Sequence, residues 1–505
     1  MSNFSEIELL RQSIVDELEN LEELDYLYND YSDKILQAQK KFKGQKKYLL
    51  PENYRYITDS LSNLAKELEK EKTKIRLIRQ KARKSEENQL FFIDLSSYYR
   101  KTKEKLRIYI SILSSLIISS DWQSPSYAHS LFSQAGRQTG NISANINDYK
   151  RDVHLDEAIY EKAFLSEYID GRFKLLTHAL LVNSGMAAFS TILNYLQAEG
   201  KINGKILIGK NVYFQNKQLV VKSFKDKIIE IEEDKTDKII AVINKNQPSV
   251  VYFDSLTNTK DILLPDLYKI ISLLNKSKRE VYLLVDNTCL ASSFQTYKLV
   301  KRPGNLRLVL FESMNKYYQF GLDRVTAGII VANGKDAVKL FEYRKHCGTN
   351  IIDSSVFAFP SPNKKLLEKR LFRHQRNALH LASYIQNHLE NNRLIDTITY
   401  PSFVNHHSYS WSKNYHFCGS YFSLQFRKKH NKRTLKKILE KIISKSKKEN
   451  INIIGGTSFG FDITRVYLTA SHTQFAQSFI RISAGTENII QTEKIGKIIL
   501  KVLIN

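Results

Sequence analysis

The chain has few cysteines, no long apolar run and a shortage of acids. Three cysteines (Cys289, Cys347 and Cys418) among 505 residues do not make a disulfide framework, so a reducing, cytoplasmic setting is expected. The most apolar stretch, Ile108 to Ile118, is interrupted by serines and falls short of the ~20 residues a spanning helix needs, so no membrane segment is expected. The opening Met1-Ser2-Asn3-Phe4-Ser5-Glu6 has neither a basic nor an apolar leader region, and no secretory signal is expected. Acids number 52 against 77 lysines and arginines, a formal charge of +25. Such an excess suits an anionic partner or a merely solvated surface. The densest basic cluster runs from Arg427 to Lys448, with Leu435, Ile438, Leu439, Ile442 and Ile443 at helical spacing. It predicts an amphipathic surface helix with a basic outer face. No nucleic-acid-binding motif accompanies it, so nucleic acid is not an expected partner.

The length predicts about two to four domains, and an apolar fraction of 42% is enough for sizeable cores. Residues 1–120 read as helical. Ile7, Leu10, Ile14, Leu18, Leu21 and Leu24 recur at threes and fours, and nine acids between Glu6 and Asp30 face a single base, Arg11. Ile57, Leu61, Leu64, Leu68, Ile75 and Ile78 keep the rhythm with Glu71 in one core slot, and Leu106, Ile110, Leu113 and Ile117 repeat it. A small helical bundle or hairpin is expected, with a coiled-coil extension as the alternative because the period lies near 3.5. Residues 121–160 begin rich in Ser, Gln, Asn and Gly and read as an extended arm. Between 161 and 355, helical patterns alternate with short β-branched runs such as Val250-Val251-Tyr252-Phe253 and Val281 to Val285. That alternation predicts an α/β domain with a mostly parallel sheet. Residues 356–505 read as a smaller α+β domain, with a long helix near 364–389.

Three features in this order carry chemistry. A small-residue turn, Asn183-Ser184-Gly185-Met186-Ala187-Ala188, comes first. An apolar strand ending in an acid, Asp286-Asn287-Thr288, follows. Then comes Ser313-Met314-Asn315-Lys316-Tyr317. Ligands of parallel sheets gather at the carboxyl ends of strands, and Asp254, Asp286 and Ser313 each stand at such an end. A glycine turn, a strand-end carboxylate and a lysine behind a serine is the order in which a pyridoxal phosphate enzyme presents its cofactor contacts. The carboxylate holds a pyridine nitrogen protonated, and the lysine amine captures the aldehyde. Each alone has a plainer reading: a helix start, a turn aspartate, a surface lysine.

From about 145 to the end the chain resembles the cystathionine γ-synthase/γ-lyase family of fold type I pyridoxal phosphate enzymes, the transsulfuration group. The family's Ser-Gly-Met-Ala-Ala is matched by Ser184 to Ala188, its Asp-Asn-Thr by Asp286 to Thr288, and its Ser-x-Thr-Lys-Tyr by Ser313 to Tyr317 with Asn315 for threonine. Its Tyr-x-Arg arm is Tyr149-Lys150-Arg151, and its Glu-Ser-Pro-x-Asn becomes Asp254 to Asn258. Its Arg-His-x-x-Asn-Ala is Arg373 to Ala378, and its closing Arg-Leu-Ser-x-Gly-x-Glu is Arg481 to Glu487. The first 120 residues lie outside the resemblance.

The resemblance implies pyridoxal 5'-phosphate as cofactor and an aspartate aminotransferase-like large domain. The phosphate would rest on Gly185, Met186 and Ser313, beside Asn315. Tyr149 and Arg151 would reach it from a neighbouring subunit, which implies a homodimer or tetramer. Asp286 would hold the ring nitrogen, Asn258 would contact the ring hydroxyl, and Tyr213 would stack on the ring and serve as acid or base. Lys316 would carry the cofactor and move the proton from Cα. Arg481 would clamp the substrate carboxylate, with Thr464 in the substrate-binding stretch Ser458 to Thr464. The bland readings are a core tyrosine for Tyr213, a surface arginine for Arg151, and a structural arginine tied to Glu487 or a nearby acid for Arg481. Cys289 reads as a small buried residue before it reads as a nucleophile. No metal is expected, since His406, His407 and His472 lack cysteines or carboxylates at ligand spacing.

The implied reaction is that of a lyase or transferase on an amino acid with a β- or γ-leaving group: C–S bond cleavage, or γ-elimination and γ-replacement. The alternative is an altered or inactive relative that serves binding or regulation through its helices or its basic surface. Phe320-Gly321 stands where the family has glycine-histidine, and Ile463 replaces a residue that helps choose between outcomes. The departures fall in the substrate pocket and predict an unusual substrate or an altered reaction. Residues 1–120 have no chemistry legible in them; a subunit extension, a lid, and a docking domain for a protein or carrier partner all stand open.

Overall fold

The computed structural model describes residues 5–46, 50–84, 89–121, 155–171, 176–301, 304–389, 392–469 and 478–504. Three long helices open the chain: α1 (Glu6–Gln45), α2 (Pro51–Lys84) and α3 (Gln89–Asp121). A reciprocal capping box starts α1, in which Ser5 Oγ accepts from the Glu8 amide at 3.3 Å and Glu8 accepts from the Ser5 amide at 2.8 Å; it satisfies two otherwise orphaned amides. Ile57, Leu61, Leu64, Leu68 and Ile75 turn inward as the spacing predicts, and Glu71, buried among them, pairs with Lys105 at 2.6 Å.

The helices do not stand apart from the rest. Leu24, Leu27, Tyr31 and Phe42 belong to one apolar cluster with Phe164, Tyr168, Phe320, Phe359 and Leu367. Tyr31 donates from its hydroxyl to the Ala358 carbonyl at 2.8 Å, and Tyr26 to that of Ser361 at 2.5 Å. The seam that suggested a coiled coil is therefore used against the body of the protein.

The central sheet contains β1 (Thr177–Val182), β2 (Ile206–Gly209), β3 (Ile228–Ile231), β4 (Val250–Asp254), β5 (Val281–Asp286), β6 (Leu306–Ser313) and β7 (Gly328–Asn333) in the order β1-β7-β6-β5-β4-β2-β3. Neighbours from β3 to β6 run parallel, and β7 is antiparallel to both of its neighbours. Alternate side chains serve opposite faces. Val251, Phe253, Leu283 and Val285 join the cluster shared with the N-terminal helices, while Val250, Tyr252, Tyr282 and Leu284 pack with the Gly185–Ala198 helix. Burial on both faces explains why these strands read as continuous apolar runs.

The second sheet contains β8 (Ile395–Thr399), β9 (Tyr421–Phe426), β10 (Ile454–Gly455), β11 (Arg465–Thr469) and β12 (Phe479–Ser483), ordered β10-β11-β12-β9-β8. The helices Lys364–Asn387, Lys432–Lys448 and Ile489–Ile504 pack on it. The basic helix buries Leu435, Ile438 and Ile442, as its spacing predicts. Among the described residues no helix is long and apolar enough to cross a membrane.

Candidate active site

Parallel strands bring their carboxyl ends to one edge, and three of those ends meet there. Asp254 ends β4, Asp286 ends β5 in register beside it, and Ser313 ends β6. They border a cavity of about 480 Å³ at the junction with the smaller sheet. Of the residues singled out in the sequence, Gly185, Met186, Tyr213, Asn258, Asp286, Ser313, Asn315, Lys316 and Arg481 line it. Tyr149 and Arg151 lie outside the described residues.

One end of the cavity has the form of an anion cradle. Ser184 caps the Gly185–Ala198 helix, its Oγ accepting from the Ala187 amide at 3.0 Å. A Cβ at Gly185 would stand 2.7 Å from Ser313 Cβ, so only glycine lets the helix start approach the end of β6. The first turn of a 14-residue helix thus opens beside a serine hydroxyl. Free amides and the positive end of the helix dipole suit a phosphate there.

A carboxyl, Asp286, and an amine, Lys316, line the same cavity. Asp286 Oδ1 accepts from the Thr288 amide at 3.0 Å. Burial pushes its pKa up to about 6. A cationic ring nitrogen beside it would restore the carboxylate. Asp254, deeper, accepts from Tyr252 Oη at 3.0 Å and from the Tyr213 amide at 2.8 Å. Burial and the neighbouring Asp286 hold its pKa far above the ordinary range.

Lys316 is presented by a braced turn. Asn315 Oδ1 accepts from the Ala327 amide at 2.9 Å, and Gln319 Nε2 donates to the carbonyls of Met314 and Val325 at 3.1 and 2.8 Å. Among the described residues no hydrogen bond or ion pair holds Lys316 Nζ, which lies 5.6 Å from the centre of the Phe459 ring. Burial lowers its pKa from the usual lysine value, which favours the neutral, nucleophilic amine. Cradle, carboxyl and free amine together fit pyridoxal phosphate.

The far side of the cavity belongs to the smaller sheet. Arg481 donates from Nη1 to Asn258 Oδ1 at 2.7 Å and from Nη2 to the Ser458 carbonyl at 3.0 Å. Its Nε is buried without a hydrogen-bond partner, and among the described residues no carboxylate pairs with it. The structural reading of Arg481 ties it to Glu487 or a nearby acid. Glu487 instead accepts from the Thr464 hydroxyl at 3.0 Å and from the Thr464 amide. Thr464 is consequently a correction to the sequence reading: it is buried behind the wall, tied to Glu487 and Gly485, and does not line the cavity. The Arg373–Ala378 motif is a brace. His374 Nδ1 bonds the Ala484 carbonyl at 2.9 Å, and Asn377 donates to the carbonyls of Gly485 and Glu487 at 3.0 and 2.8 Å.

Other side chains take definite places around the cavity and behind it. Tyr213 is not a core tyrosine: it is 39% exposed, and its hydroxyl donates to Gln215 at 2.8 Å. Burial, Asp286 and Asp254 raise its pKa. Cys289 lines the cavity, but burial pushes its thiol up to about 12, which disfavours a nucleophilic thiolate. His406 is held by backbone, its Nε2 to the Asp261 carbonyl at 3.0 Å and its Nδ1 to the Ser408 amide at 3.1 Å. Sequence reasoning missed Arg465. Its guanidinium lies 3.5 Å from the centre of the Phe461 ring, donates to the Thr457 carbonyl at 2.8 Å, and keeps a buried Nε without partner. Tyr467 of β11 pairs with Arg481 of β12, so Arg465, two residues before Tyr467, shares the face of Arg481 on a cross-strand diagonal. Only the strand register reveals this second cation.

The chain is similar to known proteins in sequence and in fold. The bifunctional enzyme flvA of Aspergillus flavus is 24% identical over 316 residues, 61% of this chain and 37% of that protein; the chain thus matches little more than a third of that relative's length. The fold resembles the crystal structure of metB from Corynebacterium glutamicum, with a TM-score of 0.58 at 20% identity, covering 77% of this chain and 97% of that one. It also resembles cystathionine gamma synthase from Xanthomonas oryzae pv. oryzae in complex with cystathionine, with a TM-score of 0.56 at 18% identity, covering 72% and 89%. Residues 119–492 match the Cys/Met metabolism PLP-dependent enzyme family, and with most of its length inside that match the chain belongs to this family of pyridoxal phosphate-dependent enzymes.

Proposed function

We propose that the chain carries pyridoxal 5'-phosphate on Lys316 and acts as a carbon–sulfur lyase or γ-replacement transferase on an amino acid with a β- or γ-leaving group. The observation that carries this reading is convergence: Gly185 and Ser313, Asp286, Lys316 and Arg481 come from distant parts of the chain and line one cavity. When bound, the cofactor supplies an aldehyde that captures an amine and a protonated ring that draws electrons from Cα.

The residues divide the work by chemistry. Gly185, Met186 and Ser313 would hold the phosphate, and Asp286 the ring proton. Lys316, once free of the cofactor, would take the proton from Cα. Arg481 offers a fork to the α-carboxylate, oriented by Asn258 and Ser458. Tyr213 faces the cavity with its hydroxyl kept protonated, so stacking and proton donation suit it better than proton removal. Arg465 with Phe461 gives the far end of the pocket a cation on an aromatic face, which favours a substrate with a second anionic group.

The same reading extends to assembly. Residues 121–160 would form the arm that brings Tyr149 and Arg151 to a partner's phosphate in a cytoplasmic homodimer or tetramer. Residues 161–355 would form the cofactor domain and 356–505 the small domain, with 1–120 as a helical addition. Loading the purified chain with pyridoxal phosphate and following its visible spectrum with L-cystathionine, L-methionine and O-acyl homoserines tests the reaction. Spectral change is expected, with release of an oxo acid from the amino acid alone, or of a thioether product when a thiol such as L-cysteine is added to displace the leaving group. A loaded protein that leaves all of these amino acids unchanged would refute the assigned chemistry.

A further inference from the structure

We propose that Lys103 and Arg107 of α3, outside the family-matched region, are positioning residues for the active site. They hold the two loops that form its substrate-side wall and so set the carboxylate fork of Arg481. This inference rests on the cavity being the active site.

The loops are the one after Lys316, Phe320 to Asp323, and the one before β11, Thr457 to Asp462. Both hold backbone conformations that L-residues resist. Phe320, Gly321, Asp323, Ser458 and Gly460 all have positive φ, from 48° at Phe320 to 83° at Gly460. Three of the five carry a Cβ. Such conformations persist only where the surroundings over-determine them.

The surroundings come largely from the N-terminal helices. Lys103 Nζ, buried, lies 2.8 Å from Asp462 Oδ1 and 2.5 Å from Glu23 Oε1 of α1. Tyr99 Oη donates to Glu23 at 2.7 Å and to Asp462 at 3.3 Å. Arg370, from the small domain, closes the ring with contacts of 2.7 Å to Asp462, 3.0 Å to Glu23 and 3.2 Å to the Gly460 carbonyl. Arg107 reaches the other loop, donating from Nη2 to the Gly321 carbonyl at 2.7 Å and from Nε to the Leu322 carbonyl at 3.0 Å, with Asp462 Oδ2 at 3.5 Å. Asp462 is thus the point where α1, α3, the long helix of the small domain and both loops meet. The contacts leave no slack: a Cβ at Gly321 would lie 2.5 Å from Asp462 Oδ1, and one at Gly460 would lie 2.9 Å from the Lys316 carbonyl carbon.

From Asp462 the constraint runs to the chemistry in two steps. Gly460 packs on the backbone of Lys316 and Tyr317. Ser458, two residues earlier, offers the carbonyl that orients Arg481 Nη2. Freeing the loop removes one of the two contacts that aim the fork. The helical addition is on this view part of the active-site wall rather than an independent docking module.

The test uses the full chain with pyridoxal phosphate. Borohydride fixation of cofactor to Lys316 in the unmodified protein comes first, and its failure would overturn the functional reading itself. Arg107→Ala removes both carbonyl bonds. Arg107→Lys keeps a charge near Asp462 but loses the fork. Tyr99→Phe deletes one hydroxyl at nearly constant volume, should either arginine variant fail to fold. Amide hydrogen exchange should quicken selectively in 320–324 and 456–463. Affinity for the tightest binder among L-methionine, L-cystathionine and L-homoserine should fall about tenfold, the effect of losing one net charged hydrogen bond. Pyridoxal phosphate affinity should stay within about twofold, since Gly185 and Ser313 are untouched, and Arg107→Lys should not restore amino-acid affinity. Unchanged exchange in both loops, or a fall in cofactor and amino-acid affinity together, would overturn the clamp.

Discussion

Asp286 ends β5 directly beside Asp254 on β4, so two carboxyls share one strand-end shelf with Asp254 buried beneath. Neighbouring carboxyls in a poorly solvated place favour protonation. The pKa of Asp286 rises to about 6, with burial as its first cause. The folded chain then holds a proton that the unfolded chain has released above about pH 4. Stability without cofactor should accordingly fall as pH rises from about 4 through about 6, by about 1–3 kcal/mol for this group, because one face of Asp286 opens to the cavity. Thermal melts of cofactor-free protein should show the slope, and Asp286→Asn should lessen it, while Asp254 and Glu487, whose pKa values burial also raises, keep the remainder. A wild-type and variant pair with identical pH profiles would remove the shift.

Lys316→Ala should abolish covalent attachment of pyridoxal phosphate and turnover while the fold survives, because no hydrogen bond or ion pair among the described residues depends on Nζ. Borohydride treatment followed by peptide mapping should mark Lys316 in the unmodified protein. A label on another lysine would displace the assignment.

Gly185→Ala tests the cradle. Its new Cβ would lie 2.7 Å from Ser313 Cβ and 3.1 Å from Ser313 Cα, so the helix start must withdraw from β6. Pyridoxal phosphate affinity should drop about tenfold or more, a loss comparable to one or two hydrogen bonds. Equilibrium dialysis measures it, and unchanged affinity would place the phosphate elsewhere.

Arg481→Ala should weaken amino-acid binding by about ten- to a hundredfold, since a charge-assisted pair is worth about 1.5–3 kcal/mol. The spectrum of bound cofactor should not change. Lysine should rescue poorly because it lacks the planar fork. A lower melting temperature with an intact amino-acid titration would make Arg481 structural after all.

Arg465→Met keeps the apolar stem over Phe461 and removes the charge. Affinity for amino acids with a second carboxylate should fall by about tenfold relative to L-methionine. An equal effect on both ligands would remove Arg465 from specificity.

The sequence by itself determined much of the candidate cofactor site. Strands buried on both faces must be apolar throughout, so Val281 to Asp286 announces both its course and the polar group at its end. Glycine at 185 and the lysine behind Ser313 are what the proposed chemistry requires, and both motifs stay local in the chain. The convergence of these groups with Arg481 on one cavity also argues against the alternative of a fold kept only for binding. Tertiary structure alone decided the rest. The rhythm of Ile57, Leu61, Leu64 and Leu68 says that a face is buried, not against what, so the ties from Lys103 and Arg107 to the loops bordering the candidate site were invisible. Arg465 faces the cavity through strand register, and Thr464 is turned from it by Glu487, an acid 23 residues away. Tyr213 escapes the core because its amide, not its ring, is fixed by Asp254. Local residues dictate which chemistry is present; long-range pairing dictates which charges face it, because a side chain's electrostatic surroundings are assembled from segments distant in sequence.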